Sequence, residues 1–381
     1  MKLNRWCLIT LFMLVITLGA CAPQATQNSP AASVTPTIAI PAPTPPGTLK
    51  ASSQDPWDKV MEAAKKEGEV TTYSYDYVGD VGLALSAAFK NRYGIKMNII
   101  TGRGAEFIER LQTERRIGQI VADFSEGSAA NLMIMKGAGL TVPVPDLPVL
   151  KEQGVWEVHP LVMDPEAHVL TPIRIVYYGW VNTKLVKSGE EPKSFSDLLK
   201  PEWKGKIIAD DPRTSAAGYG YLVPLVNAKI LDWEYVKALG AQDLRLVPGP
   251  AQNAEMVSRG EFPLGLMTAD NVAAAFVSEG APIKAITYKE GTVENVVPMA
   301  AIKGGPHPNA AMVLINWLLS EEGQKVYGKA KSSAMVRKGV PDFRPPNAQA
   351  TATRTVVTTP ADLNDQTRLI RERFIDKLWG K

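Results

Sequence analysis

The chain has 381 residues, with 42 Lys+Arg against 39 Asp+Glu, 45% hydrophobic and 21% charged residues, 30 glycines, 29 prolines and 2 cysteines. This near-average composition excludes disordered, fibrous and multi-span membrane classes, and the length leaves room for two domains of ~100–200 residues each. The formal charge of +3 includes Lys2 and Arg5; without residues 1–20, which carry no acid, it becomes 40 minus 39, or +1, so bulk charge gives no reason to expect nucleic acid as a partner.

Lys2 and Arg5 precede an apolar run of 13 residues, 6–18, and then Leu18-Gly19-Ala20-Cys21. A charged start, a short apolar stretch and a small-residue cleavage site are the layout of a secretory signal, and the run is too short for the ~20 residues a membrane span takes. The four residues ending in Cys21 resemble the lipobox of bacterial lipoproteins, which implies removal of residues 1–20 and lipidation of Cys21. Cys7 leaves with the signal, so the folded part is expected to hold neither disulfide nor thiolate chemistry. Residues 21–54 then form a Pro/Thr-rich stalk with Pro36, Pro41, Pro43, Pro45 and Pro46. Closely spaced prolines favour extended polyproline II with a reach of ~3 Å per residue. Two or more acyl chains, at ~0.8 kcal/mol per buried CH₂, anchor such a chain stably. The expected location is extracytoplasmic, tethered to the cell membrane by lipid.

Asp55-Pro56 suits the start of a helix, and Trp57, Val60, Met61 and Ala64 repeat at helical spacing until Gly68. A strand is expected over 69–73, an amphipathic helix through Ala84, Leu85, Ala88 and Phe89 up to Gly94, a strand over 96–101, a helix over 106–116 and a third strand over 120–124. This alternation calls for a parallel sheet with right-handed crossovers. A second α/β set follows: a buried strand over 174–180, a helix capped by Ser194 and ended by Pro201, a strand over 206–209, a helix through Tyr221 and Leu222, a strand over 244–247, a helix from Pro250 to Arg259, a strand over 264–267 and a helix over 271–279.

Ligands of such sheets bind outside the carboxyl ends of the strands, where loops and helix N-termini converge. In the first set this selects Tyr73, Ser74 and Tyr75, then Arg103 between Gly102 and Gly104, then Glu126 in the segment Ser125-Glu126-Gly127-Ser128. In the second set it selects Arg213, Thr214 and Ser215, Tyr219 one helical turn later, and Asp270. Arg103 can grip a carboxylate or phosphonate bidentately, and Arg213-Thr214-Ser215 ahead of a helix supplies hydroxyls and free amides for an anion. Tyr73 and Tyr75 offer ring walls or phenol oxygens; Glu126 and Asp270 offer carboxylates to a cation or amine. Tyr177, Tyr178 and Trp180 read as core. His159, His168 and His307 lack metal-ligand spacing, so no metal centre and no cofactor are expected.

Several stretches taken together resemble the substrate-binding proteins of bacterial ABC importers, in the group that includes ferric-ion binders. They are Tyr178-Gly179-Trp180-Val181-Asn182-Thr183-Lys184, Asp211-Pro212-Arg213-Thr214-Ser215, Ser258-Arg259-Gly260-Glu261-Phe262-Pro263 and Asn316-Trp317-Leu318-Leu319-Ser320-Glu321-Glu322-Gly323-Gln324. The resemblance implies an α/β fold of the periplasmic-binding-protein type II, two lobes with a ligand cleft between them. It divides the chain into lobe 1 over 55–172 plus 290–325 and lobe 2 over 173–289 plus 326–381, with crossings near 173–177 and 288–297, the helix at 308–319 in lobe 1 and a last helix, 362–379, in lobe 2. It implies an ABC permease as partner and a monomer that closes on its solute. Ferric binders of the group carry a Tyr-Tyr pair where this chain reads Thr268-Ala269-Asp270-Asn271, which speaks against bare ferric ion; Arg103 and Arg213-Thr214-Ser215, on facing lobes, make the expected ligand a small anion, phosphonate or carboxylate, or an anion-complexed metal. A ferric-iron carrier is the alternative. An exported hydrolase is a further one, opposed by the absence of Gly-x-Ser-x-Gly, Ser-x-x-Lys, His-Glu-x-x-His and a thiol nucleophile.

Overall fold

Asp55 sets the first helix, α1 (Pro56–Glu67): its carboxylate accepts from the Trp57 amide at 3.0 Å, proline occupies the first turn, and Gly68 closes the helix in the left-handed region at φ 73°. The computed structural model describes residues 55–102, 104–212, 216–350, 352, 354–360 and 362. After α1 come β1 (Glu69–Ser74), α2 (Gly79–Tyr93), β2 (Lys96–Thr101), α3 (Gly104–Ile117), β3 (Phe124–Glu126), α4 (Ala129–Gly137) and the short β4 (Thr141–Val142). The long β5 (Leu170–Asn182) leads to β6 (Ile207–Asp210), α5 (Ala216–Asn227), α6 (Trp233–Gly240), β7 (Arg245–Val247), α7 (Pro250–Ser258), β8 (Leu264–Ala269), α8 (Asp270–Ser278) and β9 (Ile283–Ile286). A second long strand, β10 (Thr292–Ile302), returns to α9 (Pro308–Leu319), α10 (Glu321–Lys331) and β11 (Thr355–Val357). No helix among the described residues is long and apolar enough to cross a membrane.

Among the described residues the strands form one sheet whose main path runs β2-β1-β3-β10-β5-β8-β6-β7. The outer strands pair in parallel, β1 with β2 and β3, β6 with β7 and β8, while β5 and β10 pair antiparallel in the middle. These two strands carry the chain between two cores. Ile173 and Val297 pack with Phe89 and Trp317, whereas Tyr177 and Val293 pack with Trp203 and Leu222. The packing after residue 325 differs from the expected division, because Tyr327 sets its ring edge-on to Tyr77 at 5.6 Å and joins Met335 and Val336 in the first core. The segment with Ala348 packs instead against Ala273 and Ala274 of α8. The helix expected at 362–379 lies outside the described residues, apart from Asp362.

The third strand forms later than its hydrophobic run suggests, pairing Phe124 with Thr72 and Glu126 with Ser74. Asp123 is the reason. Its carboxylate accepts from the Thr71 amide at 2.7 Å and the His307 amide at 2.6 Å and meets His307 Nδ1 at 2.9 Å, so it ties β1 to the start of α9 instead of letting the ladder begin earlier. Asp123→Ala is expected to lower stability by about 2–4 kcal/mol, since buried donors lose their acceptor. Urea denaturation checks this, and a midpoint equal to that of the parent protein would contradict it. Ser194 also caps less than expected. It forms a capping box with Asp197 over a single 3₁₀ turn, Phe195–Leu199, and not an α-helix, because Lys200-Pro201 stops the chain after one turn.

Candidate ligand site at the strand ends

Pairing register brings the ends of the parallel strands level: Ser74 lies opposite Thr101 and Glu126, and Asp210 lies opposite Val247. Helices α3, α4, α5, α7 and α8 begin within a few residues of these ends, so their free amides and positive dipole ends collect on that edge of the sheet. Two glycines permit the close approach. A Cβ on Gly104 would lie 2.0 Å from Asn131 Nδ2, so the first turns of α3 and α4 touch only because none is there. A Cβ on Gly218 would lie 2.7 Å from both Asp210 O and Pro212 N, which seats the start of α5 on the end of β6. Gly220 of the same turn lies beside Asn295 and Tyr177, whose side chains meet across the two crossing strands with Asn295 Nδ2 donating to Tyr177 OH at 3.4 Å. A hollow of about 300 Å³ lined by Tyr77, Val78, Gly79, Leu83 and Thr101 opens at the ends of β1 and β2. The larger groove, about 740 Å³ and lined by Val186, Glu191, Lys193, Asp197 and Lys206, sits near the starts of β6 and β8, away from these ends.

The expected contact residues divide sharply. Tyr75 is 61% exposed at the edge. Tyr73 is buried, stacked on Phe107 with ring centroids 4.7 Å apart, and donates its hydroxyl to Glu114 at 2.5 Å. Burial, reinforced by Glu114, pushes that phenol well above its ordinary value, so it belongs to the core and not to the cleft wall. Ser74 and Glu126 are buried too, joined by Ser74 Oγ donating to Glu126 Oε2 at 2.5 Å. Glu126, expected in a loop, ends β3, where burial and the nearby Asp76 carboxylate push it up to about 8. Arg103, Arg213, Thr214 and Ser215 lie outside the described residues, as does Cys21. Tyr219 falls in α5, and its side chain is also outside them. Tyr177, Tyr178 and Trp180 are buried as expected of core.

Asp270 is buried at the start of α8 and already holds a cation from the chain itself. Arg344 Nη1 donates to its Oδ2 at 2.6 Å, and the Asn271 amide donates to Oδ1 at 2.8 Å. Burial raises the carboxyl above its ordinary range while Arg344 opposes the rise. The guanidinium also donates to Tyr178 OH at 3.2 Å and to Asp342 at 2.9 Å. Asp270 therefore offers no carboxylate to an incoming ligand. Sequence reasoning missed Arg344 because it stands beside Pro345 and Pro346, in a stretch without periodicity, 74 residues from Asp270. A second ion pair, Arg174 to Glu294 at 3.2 Å, joins the crossing strands β5 and β10. Among the described residues no group of three or more His, Cys, Asp or Glu side chains is placed to hold a metal.

Residues 73–330 match the family of bacterial extracellular solute-binding proteins. The chain is 25% identical over 323 residues to iron uptake protein A1 of Synechocystis sp., covering 77% of this chain and 82% of that protein. Its structure is similar to the periplasmic binding protein AfuA from Actinobacillus pleuropneumoniae with exogenous fructose-6-phosphate bound, at a TM-score of 0.63 and 18% identity, covering 82% of this chain and 98% of that one. It is similar as well to the Trichodesmium protein IdiA (FutA) in complex with iron and citrate, at a TM-score of 0.64 and 20% identity over 80% of this chain and 96% of that one. The architecture is that of the two-lobed type II periplasmic binding proteins. With residues 73–330 matched, more than half of the sequence, this chain belongs to the bacterial extracellular solute-binding protein family.

Proposed function

We propose that the protein captures a small anionic solute, a phosphonate, a carboxylate or an anion-complexed metal, and delivers it unaltered to the permease of an ABC importer. The gathering of helix N-termini at level strand ends in both halves of the sheet carries this reading, since free amides and dipole ends favour negative charge. Arg103, Arg213, Thr214, Ser215, Tyr219 and Tyr75 are the contact residues of the proposal. Lobe 1 then comprises residues 55–172 and 290–336, and lobe 2 comprises 173–289 and the segment holding Arg344 and Ala348, with β5 and β10 as the hinge of closure. The name of the Synechocystis relative and the citrate in the Trichodesmium complex favour iron carried with an organic anion over bare Fe³⁺. Native mass spectrometry of protein purified without refolding tests the reading: a co-purified anion or metal–anion complex supports it, and an uncharged or cationic organic solute would contradict it.

The same proposal places the protein on the outer side of the cell membrane, held by lipid on Cys21 through a stalk of residues 22–54, monomeric, and binding without turnover. Cys21→Ser is expected to move it from the membrane fraction to the soluble or secreted fraction. Retention of the variant in the membrane would remove the anchor from the account.

A further inference from the structure

Tyr75 stands exposed between two residues that are held from inside the first core. Ser74 Oγ donates to Glu126 Oε2 at 2.5 Å, and the Asp76 amide donates to the same oxygen at 3.1 Å. Ser74 Oγ in turn accepts from the Tyr77 amide at 2.8 Å. One carboxyl oxygen thus gathers the Ser74 hydroxyl and the Asp76 amide, on either side of Tyr75. Asp76 is further paired with Lys331 of α10. The other oxygen, Glu126 Oε1, is fully enclosed and has no hydrogen-bond partner among the described residues, and neither do the enclosed hydroxyls of Tyr77 and Tyr327. Glu126 itself is 1% exposed.

We infer that Glu126 is the positioning residue of the loop that presents Tyr75: its neutral, protonated form holds residues 74–77 closed, and its ionisation favours an opened loop. This rests on the reading of that loop as ligand-facing. The groups acting on Glu126 are Asp76 and Tyr77 of the loop, Ser74 of β1, and Tyr327 and Lys331 of α10, while β10 places the uncharged Met299 opposite it. Two of these influences, the Ser74 hydroxyl and Lys331, favour the anion, as does the Asp76 amide. Enclosure and the Asp76 carboxylate oppose it more strongly, so the closed loop keeps its proton up to about pH 8. Opening admits water and returns the carboxyl toward its ordinary 4.5.

Below 4.5 both forms are protonated and pH has no effect; between 4.5 and about 8 only the open form ionises; above about 8 both are ionised. The population of the open loop therefore rises by about tenfold per pH unit across that window and levels off above it.

Amide hydrogen exchange of peptides covering residues 74–78, corrected for intrinsic exchange and recorded from pH 5 to 9 on the whole protein without solute, reads this directly. Protection in the parent protein is expected to fall about tenfold per pH unit up to about pH 8 and then flatten. Glu126→Gln, which keeps an uncharged group of the same shape, is expected to hold protection constant across the range. Asp76→Asn, which removes the opposing carboxylate, is expected to bring the flattening to a lower pH. Flat protection in the parent protein overturns the inference, as does a slope that survives unchanged in Glu126→Gln. If Glu126→Gln does not fold, the parent slope and its shift in Asp76→Asn decide the matter. No solute enters the measurement, so its failure leaves solute capture untouched, and failure of solute capture leaves the loop's titration standing.

Discussion

Arg344→Met is expected to lower stability by about 3–5 kcal/mol at neutral pH, the cost of leaving one partner of a buried pair uncompensated. Arg344 is the cation that Asp270 meets at 2.6 Å, and Tyr178 and Asp342 hold the guanidinium in place. Without it, burial acts on the Asp270 carboxyl unopposed and raises it further. A raised carboxyl contributes its full stability below the unfolded value of 3.8 and loses it as pH climbs. The defect of Arg344→Met is therefore expected to grow with pH and to shrink in acid. Asp270→Leu combined with Arg344→Met removes both charges and is expected to recover most of the loss, because apolar groups of similar volume replace buried ion pairs at little cost. Urea denaturation of the three proteins across pH checks this. A defect that is independent of pH, or a double variant no better than the single, would remove the pair from the account of how the C-terminal segment is fastened to α8.

The second large effect is on affinity. Arg103→Ala and Arg213→Ala are each expected to weaken binding of the co-purified solute by ~10–150-fold, the worth of a charge-assisted hydrogen bond at ~1.5–3 kcal/mol. Titration calorimetry with that solute measures both. If both variants bind as the parent does, the anion proposal falls while capture of a solute by the family fold stands. A loss confined to one arginine would place the anion against one lobe alone, with the other lobe closing over its neutral part.

The alternation of elements was legible where local chemistry decides. Asp55-Pro56 and Gly68 bound α1 as expected, and β2 forms over Lys96–Thr101 as its apolar pattern requires. The strand-end rule likewise selected the edge where the parallel strands end level and the following helices begin. What it did not resolve is which strand-end side chains face outward. Tyr73 and Tyr75 alternate in sequence, but β1 ends at Ser74, so Tyr75 leaves the pleat while Tyr73 stays inside it. Glu126 and Asp270 turn inward because their partners come from far along the chain, Ser74 at a separation of 52 residues and Arg344 at 74. The late start of β3 has the same origin, since Asp123 is claimed by His307 across 184 residues. Long-range claims on a carboxylate leave no periodic trace, and a strand-end acid that will cap, pair or bind reads the same in sequence.

Small-angle X-ray scattering of the solute-free protein, before and after saturation with the solute identified by mass, addresses capture by closure of two lobes most directly. A smaller radius of gyration on saturation and recovery of the solute at unchanged mass are expected. An unaltered profile with solute demonstrably bound, or steady conversion of the solute into another species, would contradict it.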